Sequence, residues 1–262
     1  MIKPLVELKT ELKKIKGLCF DIDDTFSSHG KITGEAYQSL WNLKKNGFTL
    51  IPVTGRPAGW CDLIARFWPV DGVVGENGAF SFFLKNGKRA RIDTLSVLES
   101  QLAKNKLKNL KKSIQKKFPN ALFASDQDYR EYDLAIDFCE DVPAWKETDV
   151  DALVQFCESQ GAIAKISSIH VNTWFGKYTK LEGIHYFLNT LQFSLSLPAF
   201  EEFLYVGDSP NDEPMFQAFP LSIGVSNVEA FLPKMNSHPK FITSSPAGAG
   251  FTELAALLLE SR

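Results

Sequence analysis

The sequence predicts an α/β fold, with a doubly wound, mostly parallel, Rossmann-like core and an inserted α+β cap domain. Up to residue 74, and again from residue 178, short apolar runs alternate with amphipathic stretches of helical period. This alternation is typical of a parallel sheet with helices on both faces. Between these parts the pattern changes to a hairpin signal followed by paired strands. We therefore expect a core made of residues 1–80 and 177–262 and a cap made of residues 81–176.

The first part of the core is predicted to contain three strands and two helices. The strands are expected at 17–23, 48–53 and 70–74, and the helices at 34–46 and 57–67. Glycine after the first helix and proline in the first turn of the second are typical helix boundary signals. Residues 1–16 carry leucine and isoleucine at helical spacing, which predicts an amphipathic lead-in.

The insertion begins with a hairpin signal, because Asn86 and Gly87 separate two apolar runs, 80–84 and 89–93. The remaining elements are assigned from period and length. They are a helix at 95–118, strands near 121–125 and 132–138, a helix at 146–160 and strands within 162–175, and then, in the core, a helix at 178–191, a strand at 202–206, a helix at 210–219, a strand at 221–225, a short strand at 241–242 and a helix at 251–260.

Composition narrows the classes of function. A net charge of −2 gives no case for nucleic-acid binding, and the lysine-rich run 104–117 lacks interleaved aromatic residues, which favours a solvated helix face. The four cysteines show no metal-ligand spacing and are expected to be free thiols. No apolar run approaches the ~20 residues of a membrane span, so we expect no membrane partner and a cytoplasmic location.

The chemistry is concentrated where the first strand ends, at Asp21, Asp23 and Asp24. Residues i and i+2 of a strand point to the same side, so the first two carboxylates lie together. Carboxylates at the end of a buried strand repel each other unless a cation compensates them or their pKa values rise. The stretch therefore predicts a site for a hard metal ion and acid–base chemistry.

Two further segments place polar residues at strand ends. Thr54, Gly55 and Arg56 follow the second strand, and residues 207–212, with acids at Asp208 and Asp212, follow a later one. Ligand sites in open α/β sheets lie outside the carboxyl ends of the strands, so the three segments should converge. The alternative for each segment alone is a helix N-cap, for which Asp, Thr, Ser and Asn are all suited.

Together the three segments resemble signature motifs of the haloacid dehalogenase superfamily, and the insertion resembles its type IIB, Cof-like cap. The resemblance implies a Mg²⁺-dependent phosphatase acting on a small phosphorylated metabolite, most often a sugar phosphate. Asp21 would be the nucleophile that forms an aspartyl-phosphate, and Asp23 the general acid and base. The implied Mg²⁺ ligands are Asp21, the backbone carbonyl of Asp23, and Asp208, with Asp212 in support.

The resemblance also implies a phosphate-binding set that consists of Thr54, Gly55, Asn211 and a lysine. Two lysines are candidates, Lys177 and Lys180, and the glycine three residues after Lys180 favours the latter.

Three further positions complete the candidate site. Arg56 and His170 are candidate substrate contacts. Asp24 departs from the pattern, because most sugar-phosphate relatives have glycine there.

Two alternatives to a phosphatase stay open at this stage. A phosphomutase shares the core and the aspartyl-phosphate, and a non-catalytic protein could bind phosphorylated ligands on the same scaffold. The physiological substrate and the oligomeric state do not follow from the sequence.

Overall fold

A computed structural model describes residues 2–8 and 11–261, with the side chain of Phe193 excepted. The strands of this part of the chain are β1 Lys3–Pro4, β2 Gly17–Phe20, β3 Thr49–Pro52, β4 Val73–Gly75, β5 Phe80–Lys85, β6 Lys88–Asp93, β7 Leu122–Phe123, β8 Asp133–Asp137, β9 Ile163–Ile166, β10 His170–Trp174, β11 Phe203–Gly207, β12 Leu221–Gly224 and β13 Phe241–Ile242. Its α-helices are α1 Gly34–Lys45, α2 Ala58–Phe67, α3 Val97–Lys117, α4 Glu147–Ser159, α5 Lys180–Leu195, α6 Glu213–Ala218 and α7 Ala247–Glu260.

The core is a parallel sheet with the strand order β1-β13-β12-β11-β2-β3. β2 lies between β11 and β3, so the acids after it have a strand end on either side. One face of the sheet packs against apolar residues of α1 and α7, and the other against residues of α5 and α6. Helices on both faces of a parallel sheet confirm the predicted doubly wound core.

The predicted hairpin forms as β5 and β6, and both Asn86 and Gly87 in its turn have positive φ. Positive φ at both central residues is the requirement that makes Asn-Gly a good hairpin turn. β5 also pairs with β4, which gives a three-stranded antiparallel sheet. A parallel bridge between Val53 and Val74 joins this sheet to the edge of the core sheet.

The rest of the insertion is a four-stranded antiparallel sheet, β7-β8-β10-β9. Apolar residues of α3 and α4 pack on one face of it, for example against Leu134 and Val171. Asn172, the neighbour of Val171 in β10, points to the opposite face, as successive residues of a strand must. That opposite face covers the carboxyl ends of the core strands.

The N-terminal stretch, predicted as an amphipathic lead-in with apolar residues at helical spacing, contains no α-helix in its described residues. It forms β1, which pairs with β13, and two short 3₁₀ turns at Leu5–Leu8 and Leu12–Lys14. Its apolar side chains are nevertheless buried in the core, because turns of this length still bring every third or fourth residue to one side. Residues 1, 9 and 10 of this stretch lie outside the described residues.

Several helix boundaries also differ from the predictions, and α5 ends at Leu195, four residues later than expected. The helix expected at 210–219 begins with a 3₁₀ turn, Pro210–Asp212, and continues as α6, while the C-terminal helix begins four residues earlier than expected, at Ala247. No helix in residues 2–8 and 11–261 has the length and apolar character needed to cross a bilayer.

Candidate active site

Asp21 is the first residue beyond β2, and its amide continues the sheet by donating to the carbonyl of Val206 (2.9 Å). The chain then turns sharply, because the amides of Phe26 and Ser27 both donate to the carbonyl of Ile22. This turn leaves Asp21 buried at the mouth of the sheet and Asp23 partly exposed beside it. The strand end therefore presents both carboxylates to the space beneath the cap.

Carboxylates from two strand ends meet at this point. One oxygen from each of Asp21, Asp208 and Asp212 lies within 4.8 Å of the others. Asp208 accepts hydrogen bonds from Thr25 Oγ1 (3.2 Å) and Asn227 Nδ2 (3.1 Å), which fix its orientation. Three carboxylate oxygens suit a hard divalent cation such as Mg²⁺. The group includes no histidine nitrogen or cysteine sulfur, the ligands most common at zinc sites.

The electrostatics of the cluster point the same way. Burial raises the pKa of Asp21 to about 7, with the negative charges of Asp212 and Asp23 adding to the rise and Lys180 opposing it. Burial and the neighbouring acids raise the pKa of Asp208 well above its ordinary value. Burial and mutual repulsion disfavour the ionised form of these carboxylates, and the single charge of Lys180 offsets this only in part. A bound divalent cation would supply the remaining positive charge.

Of the two candidate lysines, Lys180 lies in the site. It is the first residue of α5, and its Nζ donates to Asp21 Oδ1 (2.6 Å) and to Asp212 Oδ1 (2.8 Å). Burial alone would lower the pKa of this ammonium, but the two carboxylates hold it above its ordinary value. Lys177 is exposed and lines a surface cavity beside α3.

Asp212 is held by hydrogen bonds on both oxygens. Oδ1 accepts from Lys180 and from Tyr205 OH (2.6 Å), and Oδ2 accepts from the amides of Asp208 (3.0 Å) and Ser209 (3.3 Å). Its lone pairs are therefore largely committed to protein donors. This arrangement makes Asp212 a support for Lys180 and for the loop that carries Asp208.

Thr54 and Gly55 follow the end of β3, and Gly55 lines the same cavity as Asp21. Thr54 is fully buried, and its Oγ1 accepts from the amide of Arg56 (3.0 Å), which leaves its hydroxyl proton free to donate. A side chain on Gly55 would approach Asn77 to 3.3 Å and Asn172 to 3.5 Å, so the glycine keeps this wall open. Asn211, from the loop after β11, lines the same cavity and accepts from Ser209 Oγ (2.9 Å).

Arg56 links the core to the cap. Its Nε donates to both oxygens of Asp23 (3.1 and 3.0 Å), and its Nη2 donates to Asp23 Oδ1 (2.8 Å) and to Glu140 Oε1 (2.8 Å). Nη1 reaches Asp126 Oδ2 (3.4 Å), and the guanidinium carbon lies 4.5 Å from the ring centre of Trp60. The side chain is only 6% exposed, and these contacts hold the guanidinium in place.

His170 lies on the cap side of the cavity, buried at the start of β10. Its Nε2 is 2.8 Å from Glu140 Oε2, although the angles of this contact are not those of a hydrogen bond. The interactions with His170 and Arg56 together hold the pKa of Glu140 at about 2, against the effect of burial.

The space between these groups is small. The cavity bounded by Asp21, Asp23, Arg56 and His170 has a volume of about 20 Å³, which is enough for about one water molecule. A second cavity, of about 310 Å³, shares Asn211 with the first and is also lined by Lys180.

The backbone conformation at Asp24 explains how an aspartate can stand where the family pattern has glycine. Its φ is +53°, in the left-handed region that glycine adopts most easily and that Asp tolerates better than most residues. Its carbonyl oxygen accepts from Asn227 Nδ2 (3.0 Å), which holds the turn beside Asp208. Glycine and aspartate can therefore serve the same turn.

Sequence reasoning missed several residues of the site. Tyr205 and Asn227 lie in or just after core strands, so their positions relative to strand ends could have marked them. Asp126 and Glu140 come from the cap and carry no local signal. They reach the site only because the cap sheet docks over the core.

Comparisons with known proteins agree with this architecture. The sequence profile described as haloacid dehalogenase-like hydrolase matches residues 18–133 and 84–251. No curated protein matches the sequence significantly.

Solved structures share the fold at low sequence identity. A putative HAD/COF-like hydrolase from Plasmodium vivax superposes with a TM-score of 0.72 at 17% identity, covering 97% of this chain and 100% of that one. A protein from Thermoplasma acidophilum gives 0.69 at 20% identity, with 95% and 99% covered. The sucrose-phosphatase from Synechocystis sp. PCC6803, in complex with sucrose and phosphate, gives 0.64 at 16% identity, with 92% and 97% covered.

The family prediction and the predicted fold class are thus confirmed. The profile match spans all three motif segments and most of the insertion, and the chain belongs to the haloacid dehalogenase-like hydrolase family.

Proposed function

We propose that this protein is a Mg²⁺-dependent phosphatase that hydrolyses a small phosphorylated metabolite, a sugar phosphate, through an aspartyl-phosphate on Asp21. The observation that carries the proposal is the position of Lys180 Nζ, 2.6 Å from Asp21, within a cluster of buried carboxylates. A cationic group and a cation site around one nucleophilic oxygen suit attack on a dianionic phosphoryl group.

In this proposal Asp21 attacks phosphorus in line with the leaving alcohol. The Thr54 hydroxyl, the Gly55 amide, Asn211 and Lys180 hold the phosphoryl oxygens, and Asp23 protonates the leaving oxygen. Asp23 later takes the proton of the water that attacks the aspartyl-phosphate.

The metal site of the proposal is formed by Asp21, the Asp23 carbonyl and Asp208, with Asp212 as their support. When bound, Mg²⁺ supplies positive charge that offsets repulsion between the Asp21 carboxylate and the phosphoryl group.

The substrate class is supported by the space near the site. The 310 Å³ cavity is bounded by polar side chains of both signs, including Lys165 from the cap and Glu213 and Asn236 from the core. Such a surface suits a hydroxyl-rich molecule of small size. The fold is shared with a sucrose-phosphatase, which agrees with a sugar as the leaving group.

We also propose a division of labour between the two parts of the chain. Residues 1–80 and 177–262 carry the phosphoryl chemistry, while residues 81–176 select the leaving group. The small volume of the cavity at Asp21 supports a cap that opens for substrate, because about 20 Å³ admits no sugar.

A screen of phosphorylated metabolites with release of inorganic phosphate as the readout tests the proposal. We expect turnover of one or more sugar phosphates, and loss of at least about a thousandfold in kcat for Asp21→Asn, whose amide is a poor nucleophile. Turnover by Asp21→Asn above about a tenth of the wild-type rate would exclude Asp21 as the nucleophile. Isomerised sugar phosphate without free phosphate would identify a mutase instead.

A further inference from the structure

The Arg56 guanidinium donates hydrogen bonds to carboxylates from both parts of the chain. Asp23 belongs to the core, and Glu140 and Asp126 belong to the cap. With the cap docked, the guanidinium is bound on three sides and stacked on Trp60. With the cap away, two of the three carboxylates would be absent.

The loop that carries Glu140 is itself firmly held. Both oxygens of Asp137, at the end of β8, accept amides of the loop, from Cys139 (3.0 Å) and Glu140 (2.8 Å) on Oδ1 and from Asp141 (2.8 Å) on Oδ2. Glu140 therefore reaches Arg56 from a fixed point of the cap sheet. The contact is a defined part of the docked cap and not a chance approach of a long side chain.

The docked arrangement suits the second half of the proposed reaction. The free volume at Asp21 and Asp23 is about the size of one water molecule, so with the cap docked the sugar must already have left. The water oxygen bonds to phosphorus, the bond between phosphorus and the Asp21 oxygen breaks, its electron pair returns to the carboxylate, and the water proton passes to Asp23. This step needs the Asp23 carboxylate to point at the water.

We propose that Glu140 is a positioning residue for this water-attack step, which it serves by fixing Arg56 and, through Arg56, the orientation of the Asp23 carboxylate. The cap then contributes to hydrolysis of the intermediate as well as to the choice of leaving group. This inference rests on the phosphatase function proposed above and adds a role for a residue that does not touch the phosphoryl group.

The test compares Glu140→Ala, Glu140→Gln and Asp141→Asn with the wild type on p-nitrophenyl phosphate. Its leaving group departs without help from an acid, so formation of the aspartyl-phosphate should be insensitive to Asp23. Asp141 is the matched control, because it is an exposed acid in the same loop with no side-chain contact to Arg56.

For Glu140→Ala we expect kcat and KM to fall together by about tenfold, because only the breakdown of the aspartyl-phosphate is slowed, and kcat/KM to change by less than about twofold. The tenfold loss is a part of the rate factor of about 10²–10⁴ that a general base supplies. Acid-quenched samples should contain more phosphorylated protein than the wild type. Glu140→Gln, which keeps an oxygen for Nη2, should recover about half of kcat or more, and Asp141→Asn should match the wild type.

Other outcomes separate this inference from the proposed function. Equal loss of kcat and kcat/KM, or no change in either, would overturn the role of Glu140 and leave the phosphatase in place. A wild-type protein that releases no phosphate would overturn the phosphatase itself. If Glu140→Ala does not fold, Asp126→Asn replaces it, because Asp126 is the other cap carboxylate that contacts Arg56. The same joint fall of kcat and KM is expected at smaller size, since that contact is longer (3.4 Å).

Discussion

Replacement of Lys180 by methionine tests the organisation of the catalytic cluster directly. The Lys180 side chain is 2% exposed and bridges Asp21 and Asp212 at 2.6 and 2.8 Å. Methionine fills nearly the same space but removes the charge and both hydrogen bonds. Two buried carboxylates would then lack their shared cation, so both stability and activity should fall.

The expected magnitudes follow from the burial of this ion pair. Removing one partner of a buried pair costs about 3–5 kcal/mol of unfolding free energy. The upper part of this range is expected here because one ammonium serves two carboxylates. The transferring phosphoryl group would lose a charged hydrogen-bond donor, which costs about 10²–10³ in kcat.

The assays are urea unfolding at pH 8 in the presence of a chelator and phosphate release from an activated ester with Mg²⁺. Lys177→Met is the matched control, because Lys177 is exposed and its loss should change stability by less than about 0.5 kcal/mol. Lys180→Met with more than about a tenth of wild-type activity would refute the assigned role. Equal losses for Lys177→Met would refute the choice between the two lysines.

Two further predictions concern the metal and pH. Turnover should stop on exhaustive chelation and return with Mg²⁺, so undiminished activity after chelation would contradict the metal requirement. Ca²⁺ should inhibit, because its higher coordination number lets it bind both oxygens of Asp21. The pKa of Asp21 is raised to about 7, so in the chelated protein the stability linked to this group is full below about pH 4 and is lost as pH rises through 7. Since Mg²⁺ binds the ionised carboxylate, it should raise the melting temperature more at pH 8 than at pH 5, and an equal rise at both pH values would speak against Asp21 as a ligand.

Much of the core was predictable because its signals are local. Apolar runs mark the strands, and Asn86-Gly87 marks the hairpin turn. A parallel sheet places the carboxyl ends of its strands at one edge, so the motifs at Asp21, Thr54 and Asp208 had to come together. The helical spacing of apolar residues in the lead-in did not show that it would form 3₁₀ turns, because such turns place apolar residues at a similar spacing.

The tertiary structure decided the features that depend on docking and on backbone conformation. The sequence favours Lys180 over Lys177 only through the glycine at position 183, whereas the structure places Lys180, at the start of α5, with its Nζ 2.6 Å from Asp21. The positive φ of Asp24 has no sequence signal of its own.

The contacts of Arg56 show the same division most clearly. Its place after Thr54 and Gly55 was visible in the sequence, whereas its partners Asp126 and Glu140 lie 70 and 84 residues further along the chain. Their approach is set by the packing of the cap sheet over the core, a long-range arrangement that no local pattern of residues encodes. The sequence by itself therefore determined the fold class and the groups proposed for phosphoryl transfer. The tertiary structure determined which cap residues contact those groups, because ion pairs between the cap and the core form only when the two parts of the chain pack together.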